Sequence, residues 1–223
     1  MIQQLEQIYK RQEQLFASYR SVPAGGLEVR HLDVPFVVYK NVFIPCADSL
    51  PLLCNLHVRK GDAVLDVGTG SGVIAIISAL AGVRRVVAVD WNMDAVANTV
   101  ANARLLGIGG RIEVRLSNMF SAVRADEKFD VITANLPFMN KAASDVVESS
   151  IWDSDLLTNS TFLNNVRHFL TPEGRVYLTQ ANFGAIREVL WLAKNAGFHI
   201  REIGKRVVTE NSSIFYAFEL KMA

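Results

Sequence analysis

From residue 63 onward the chain alternates short, continuous apolar runs with segments whose apolar positions recur at helical spacing. Ala63–Val67 (AVLDV), Arg85–Asp90 (RVVAVD) and Phe129–Asn135 (FDVITAN) have the length and composition of buried strands. Arg111–Leu116 (RIEVRL) alternates apolar and polar residues, as a strand with one open face does. Between them, Val73–Leu80, closed by Gly82, and Met93–Leu106, stopped at Gly107, predict helices. For the second of these the expected inward face is Val96, Val100 and Leu105. A helix from Ser154 or Asp155 to Leu170 is halted by Thr171-Pro172-Glu173-Gly174. Val176–Thr179 predicts a strand, Ala185–Ala196 a helix, and Ile200–Thr209 with Ile214–Leu220 a closing hairpin turning at Asn211-Ser212. Strands alternating with helices imply an α/β fold. Its form is a doubly wound, mainly parallel, seven-stranded sheet in which the closing hairpin makes one strand antiparallel.

The first part of the chain reads differently. Met1–Tyr19 places Ile2, Leu5, Ile8-Tyr9, Leu15-Phe16 and Tyr19 near helical spacing, which predicts an amphipathic helix. Short strands at Leu27–Val29 and Phe36–Val42 follow, and Asp48 is placed to cap a helix over Ser49–Val58. Residues 1–58 are too few for their own core. They are expected to form an extension packed on a main domain of residues 59–223.

Half of the 223 residues are apolar, enough for a sizeable core. A net charge of +1, with basic residues scattered at Arg59-Lys60, Arg84-Arg85 and Lys205-Arg206, gives no basic stripe for a duplex. Cys46 and Cys54 are expected as reduced thiols in the core. His31, His57, His168 and His199 are dispersed, so no metal site is expected. MIQQLEQIYK lacks the apolar centre of a signal peptide, and Val73–Val83 is too short to span a bilayer. A cytoplasmic location is the expectation.

The stretch joining the first strand to the first helix of the main domain is Gly68-Thr69-Gly70-Ser71-Gly72. Such a turn brings backbone close to a ligand at the carboxyl edge of a parallel sheet. A dinucleotide fingerprint wants its third glycine one place later, and a Walker loop wants a lysine; neither is present. Asp66 adds a carboxylate beneath the loop, a poor neighbour for pyrophosphate and a good one for a cation. S-adenosylmethionine, which carries a sulfonium and an amino group and no phosphate, fits that electrostatic setting. Asp90, at the end of the next strand, can accept both ribose hydroxyls. Trp91 can lie against adenine, and Asn118 can bond its amino group, although a packing role for Trp91 and a turn role for Asn118 fit equally well.

Asn135-Leu136-Pro137-Phe138 follows the fourth strand of the main domain, again at the ligand edge. Methyl transfer from a sulfonium is an in-line displacement, so the protein's task is to position a lone pair. The lone pair of a planar nitrogen is delocalised, and two acceptors gripping its N–H bonds favour the charge that develops there. The Asn135 side-chain oxygen and the Leu136 carbonyl can be those acceptors. Pro137 holds Leu136 extended, and Phe138 offers a flat face. The alternative is a plain strand-ending Asn-x-Pro turn.

VLDVGTGSG (64–72), VVAVD (86–90), SNMF (117–120) and ANLPF (134–138), in this order, resemble the class I S-adenosylmethionine-dependent methyltransferases. The tetrapeptide resembles the Asn-Pro-Pro-Tyr signature of enzymes that methylate planar nitrogens, in glutamine amides or nucleobase amines. VFIPCADS (42–49) resembles the segment before the cofactor domain in release-factor glutamine methyltransferases. Leu136, Phe138 and Cys46-Ala47 depart from that group's pattern; leucine at the second signature position also occurs in rRNA adenine dimethyltransferases. The resemblance implies a Rossmann-like methyltransferase fold, S-adenosylmethionine as cofactor with S-adenosylhomocysteine as product, and a protein, nucleic-acid or small-molecule acceptor. It implies catalytic roles for Asn135, Leu136, Pro137 and Phe138, and cofactor contacts from Asp66, Gly68, Thr69, Gly70, Ser71, Gly72, Asp90, Trp91 and Asn118. Readings that stay open are a small-molecule N- or O-methyltransferase, an NAD(P)-dependent oxidoreductase, and a non-catalytic binding module on the same scaffold.

Overall fold

In the computed structural model, which describes residues 2–223, the apolar runs become one sheet. Its strands are β3 (Ala63–Val67), β4 (Arg85–Asp90), β5 (Ile112–Leu116), β6 (Phe129–Ala134), β7 (Leu170–Ala181), β8 (Phe198–Val208) and β9 (Ser213–Met222). They lie in the order β5-β4-β3-β6-β7-β9-β8. The first five neighbours pair in parallel, and β9 runs antiparallel between β7 and β8. Residues 63, 65 and 67 of β3 join one apolar cluster while Val64 joins another, and β4 divides in the same way, so the central strands are buried on both faces. The order reverses beside β3: the chain builds outward through β4 and β5, then crosses back to β6. Ligands of open parallel sheets bind at such a reversal.

The helices are α1 (Ile2–Arg20), α2 (Leu50–Leu53), α3 (Val73–Leu80), α4 (Met93–Leu105), α5 (Leu157–Asn165) and α6 (Ile186–Asn195). A separate antiparallel pair, β1 (Leu27–His31) and β2 (Val34–Val38), precedes α2. The helix start expected at Met1 lies outside the described residues, as does the side chain of Ile2.

Several expectations are corrected. The helix expected over Ser49–Val58 is a single turn, α2, and its N-cap Ser49 makes no side-chain cap bond. Asp48, expected to cap it, directs its carboxylate elsewhere. The buried face of α4 is Ala95, Asn98, Thr99, Asn102 and Ala103, with Val96 and Val100 half-buried and Leu105 58% exposed. That face is polar because it docks backbone rather than side chains. Asn102 donates to the carbonyls of Val37 and Ser71 and accepts the Val37 amide; Asn98 donates to Val37 and accepts the Tyr39 amide. The helical run ends at Phe169, close to the expected Leu170, but Thr171–Gly174 is not a loop: it forms a bulge in β7, where pairing passes from Phe129↔Leu170 to Val131↔Arg175. Before α5, Asp155 and Leu156 adopt positive φ, and the buried Asp153 carboxylate caps α5 by accepting the Thr158 and Asn159 amides. Neither cysteine is in the core: Cys46 and Cys54 are both exposed free thiols.

α1 lies against the segment that follows the tetrapeptide. Phe16 and Tyr19 join Phe138, Met139, Ile151 and Trp152 in one cluster, and Phe16 meets Trp152 edge-on at 4.9 Å. Gln12 fills the fourth position of the α1 stripe; it donates to Met139 Sδ and accepts from Trp152 Nε1. Leu5 and Leu15, expected on the stripe, are exposed.

Candidate functional site

The loops after β3, β4, β5 and β6 meet at the carboxyl edge of the sheet around a cavity of about 330 Å³. Its wall carries Gly68, Thr69, Gly70, Ser71, Asp90, Trp91 and Asn118, together with Asn135, Leu136, Pro137 and Phe138. Asp66 and Gly72 are not on that wall. The rest of the wall comes from Asn41, Val42, Phe43, Pro45, Asp48 and Ser49 and from Val146, Ser149, Ser150 and Thr158.

Gly68, Gly70 and Gly72 have φ of 74°, 58° and 85°. At Gly72 a Cβ would stand 2.9 Å from Thr99 Cγ2, so this glycine serves the contact of α3 with α4. The loop's amides turn inward. Gly68 and Thr69 donate to the Val89 carbonyl, Gly70 to Asp90 Oδ2, and Gly72 to the Thr69 carbonyl. With four of the five amides of Gly68–Gly72 spent in this way, the loop offers few donors for a pyrophosphate, a point that the glycine pattern alone did not disclose.

Asp90 is 8% exposed; Oδ2 accepts the Gly70 amide and Oδ1 the Asn92 amide, both at 2.9 Å. Burial raises its pKa, and the Asn92, Gly70 and Trp91 amides oppose that rise. Each oxygen keeps a free lone pair. Asp66 is fully buried; its Oδ1 accepts the Thr133 hydroxyl at 2.7 Å, while Oδ2 has no partner, nor has the Thr69 hydroxyl. Burial lifts the Asp66 carboxyl from its ordinary 3.8 to about 6, against the pull of the Thr133 hydroxyl and of the nearby Thr69 hydroxyl and Ala75 amide. Trp91 is 54% exposed, and Asn118, preceding the positive-φ residue Met119, is exposed.

The half-buried Asn135 sits one residue beyond β6. Its Nδ2 donates to Asp48 Oδ2 at 2.5 Å, and its Oδ1 accepts from the buried Thr179 hydroxyl of β7. The Pro137 carbonyl is taken by Asn159 Nδ2 and the Phe138 carbonyl by the Ala185 amide; among the described residues none donates to the Leu136 carbonyl. Phe138 is 7% exposed and packs on Phe183 and Phe215. Gly184 lies so close to the Phe138 backbone that a Cβ there would collide with it. Neither Asp48 nor Thr179 was expected at the site from the sequence. The only signal was Asp48 within VFIPCADS, where a cap explains it as well.

The donor set fits S-adenosylmethionine. A buried carboxylate lies under a loop most of whose amides are already bonded inward, and a second carboxylate lines the cavity with lone pairs to spare. Among the described residues no group of three or more His, Cys, Asp or Glu could hold a metal, and no helix is long and apolar enough to cross a membrane.

Residues 47–147 match the family model of ribosomal protein L11 methyltransferase (PrmA). A Methanocaldococcus jannaschii protein, named as a candidate protein N5-glutamine methyltransferase, is 30% identical over 178 residues, covering 76% of this chain and 87% of that protein. A release factor glutamine methyltransferase of Shewanella oneidensis is 34% identical over 146 residues, 62% of this chain and 50% of that one. Of two ribosomal protein L11 methyltransferases it matches, the chain spans 25% of the length. The T. thermophilus 16S rRNA N2 G1207 methyltransferase, solved with AdoMet and guanosine, shares the fold at a TM-score of 0.67 and 21% identity, covering 89% of this chain and 50% of that one. The seven-stranded fold and these relatives agree: the chain belongs to the class I S-adenosylmethionine-dependent methyltransferases, and S-adenosylmethionine is its cofactor.

Proposed function

We propose that this enzyme methylates a planar nitrogen, and that the acceptor is the side-chain amide of a protein glutamine. When bound, S-adenosylmethionine supplies a methyl group activated by its sulfonium. In this reading Asp90 accepts the ribose hydroxyls, Trp91 covers the adenine and Asn118 meets its amino group. Asp66 supplies negative charge beneath Gly68–Ser71, and Gly72 keeps the loop tight. On the other side, Asn135 Oδ1 and the Leu136 carbonyl accept the N–H bonds of the acceptor amide. As nitrogen gains a substituent and positive charge, both grips strengthen, which lowers the barrier more than the ground state. Phe138 supports the planar group, and Pro137 keeps Leu136 turned outward. Residues 1–58 act as an extension that closes the acceptor side.

One observation carries the reading: the Leu136 carbonyl is free while both carbonyls after it are taken. The preference for a protein acceptor is supported by the cavity wall. It holds Asp48 and Asp90, and no lysine or arginine is among its residues, so a phosphodiester would meet like charge. It is also supported by the names of the relatives in M. jannaschii and S. oneidensis. A nucleobase amine is the second reading, favoured by the fold shared with a 16S rRNA methyltransferase. Tritiated methyl transfer into cell extract, divided between protease and nuclease digestion, separates them. Label released by protease supports the glutamine reading; label released by nuclease replaces it with the second.

A further inference from the structure

Asn135 has two partners that differ in one chemical respect. The Thr179 hydroxyl can donate or accept, so it is satisfied by either end of the Asn135 amide. An ionised carboxylate only accepts, so Asp48 is satisfied by the NH₂ end alone. We infer that Asp48 is a positioning residue for methyl transfer: it fixes the sense of the Asn135 amide so that oxygen, not nitrogen, faces the methyl acceptor.

Three observations support this. Asp48 is 1% exposed, yet among the described residues no lysine, arginine or histidine forms an ion pair with it. Its partners are Asn135 Nδ2 at 2.5 Å through Oδ2, and the Cys46 amide and thiol at 3.3 and 3.0 Å through Oδ1. A buried carboxylate with so few donors is costly to hold, and its short, charge-assisted bond is spent on Asn135. Asp48 also lies on the wall of the same cavity as Asn135 and Leu136. Donation from Nδ2 to a carboxylate, finally, polarises the amide toward its oxygen, making Oδ1 a stronger acceptor for the acceptor's N–H. Asp48 comes from the segment before α2 and Thr179 from β7, so the amide is held between two regions far apart in sequence.

The inference rests on the planar-nitrogen reading, and its test has one arm that does not. In the first arm, the side-chain NH₂ of Asn135 is followed by ¹H–¹⁵N NMR, assigned by its disappearance in Asn135→Ala. One of its protons is expected well downfield in the wild type, and that displacement is lost in Asp48→Ala and Asp48→Asn. In the second arm, S-adenosylhomocysteine affinity and methyl transfer to a glutamine-containing peptide are measured. Asp48→Ala is expected to lower kcat about thirtyfold, with cofactor affinity and thermal midpoint unchanged. Adding it to Asn135→Ala costs nothing further. Cys46→Ala, which removes only the thiol from Asp48, leaves kcat at the wild-type value. An unshifted Asn135 signal in Asp48→Asn, or losses that multiply in the double variant, would overturn the assignment. A wild type that never labels the peptide overturns the glutamine reading instead, and the NMR arm then decides the role of Asp48 alone.

Discussion

The two sides of the cavity are built in different ways. The glycine-loop side, proposed to hold the cofactor, is local. Gly68, Thr69 and Gly70 bond to Val89 and Asp90 across two adjacent strands, and all its residues but Asn118, which follows β5, lie in those two strand–loop–helix units. The acceptor side is assembled from distant parts: Asn135 after β6, Asp48 before α2, Thr179 on β7, with Asn159 and Gly184 bracing the tetrapeptide. A ligand shared by many enzymes can be held by a compact, repeated motif. In the proposed reading, an acceptor particular to one enzyme is gripped by residues that only the finished fold brings together.

That contrast yields predictions in order of size. Asn135→Ala should lower turnover on the true acceptor about a hundredfold or more, as loss of a transition-state acceptor does. S-adenosylhomocysteine affinity, measured by calorimetry, should stay within about twofold. A matching loss of affinity would join the two sides into one. Asp90→Ala is the mirror case: affinity should fall about thirtyfold to a hundredfold, roughly 2–3 kcal/mol, while the Asn135 NH₂ signal keeps its position.

Asp66→Asn separates stability from binding. A carboxyl raised from 3.8 to about 6 binds its proton more tightly folded than unfolded. Its contribution to stability is therefore complete below the unfolded value and lost as pH rises toward about 6. The variant cannot ionise, so its advantage in unfolding free energy, read from urea melts without ligand, should grow from near zero at pH 4. By pH 7 it should reach roughly 2–3 kcal/mol, and cofactor affinity should fall at the same time. A constant difference across that range would remove Asp66 from the electrostatic account. The smallest effect is expected for Trp91→Ala, since the ring is 54% exposed; affinity should drop about fivefold, near 1 kcal/mol.

The same contrast explains what could be read in advance. Strand runs such as RVVAVD and the glycine loop are patterns of contiguous residues, so the parallel sheet, its closing hairpin and the cavity's glycine-loop wall follow from them. The inner face of α4 did not follow, because Asn98 and Asn102 are buried by bonding the backbone of β2, which a hydrophobic pattern assigns to solvent. Gln12 was missed on α1 for the same reason: its amide is satisfied only by Met139 and Trp152, far along the chain. Asp48 was legible as a capping type and wrong as a cap. Its true partner lies 87 residues away, a pairing no local signal encodes.

The central claim is that one cavity holds the sulfonium cofactor on Asp90 and presents the acceptor to Asn135. A crystal structure with S-adenosylhomocysteine tests it most directly. The account predicts both ribose hydroxyls on the Asp90 carboxylate and the thioether sulfur facing the Asn135 side-chain oxygen and the Leu136 carbonyl. A ligand bound with its ribose away from Asp90, or a sulfur turned from Asn135, would contradict it.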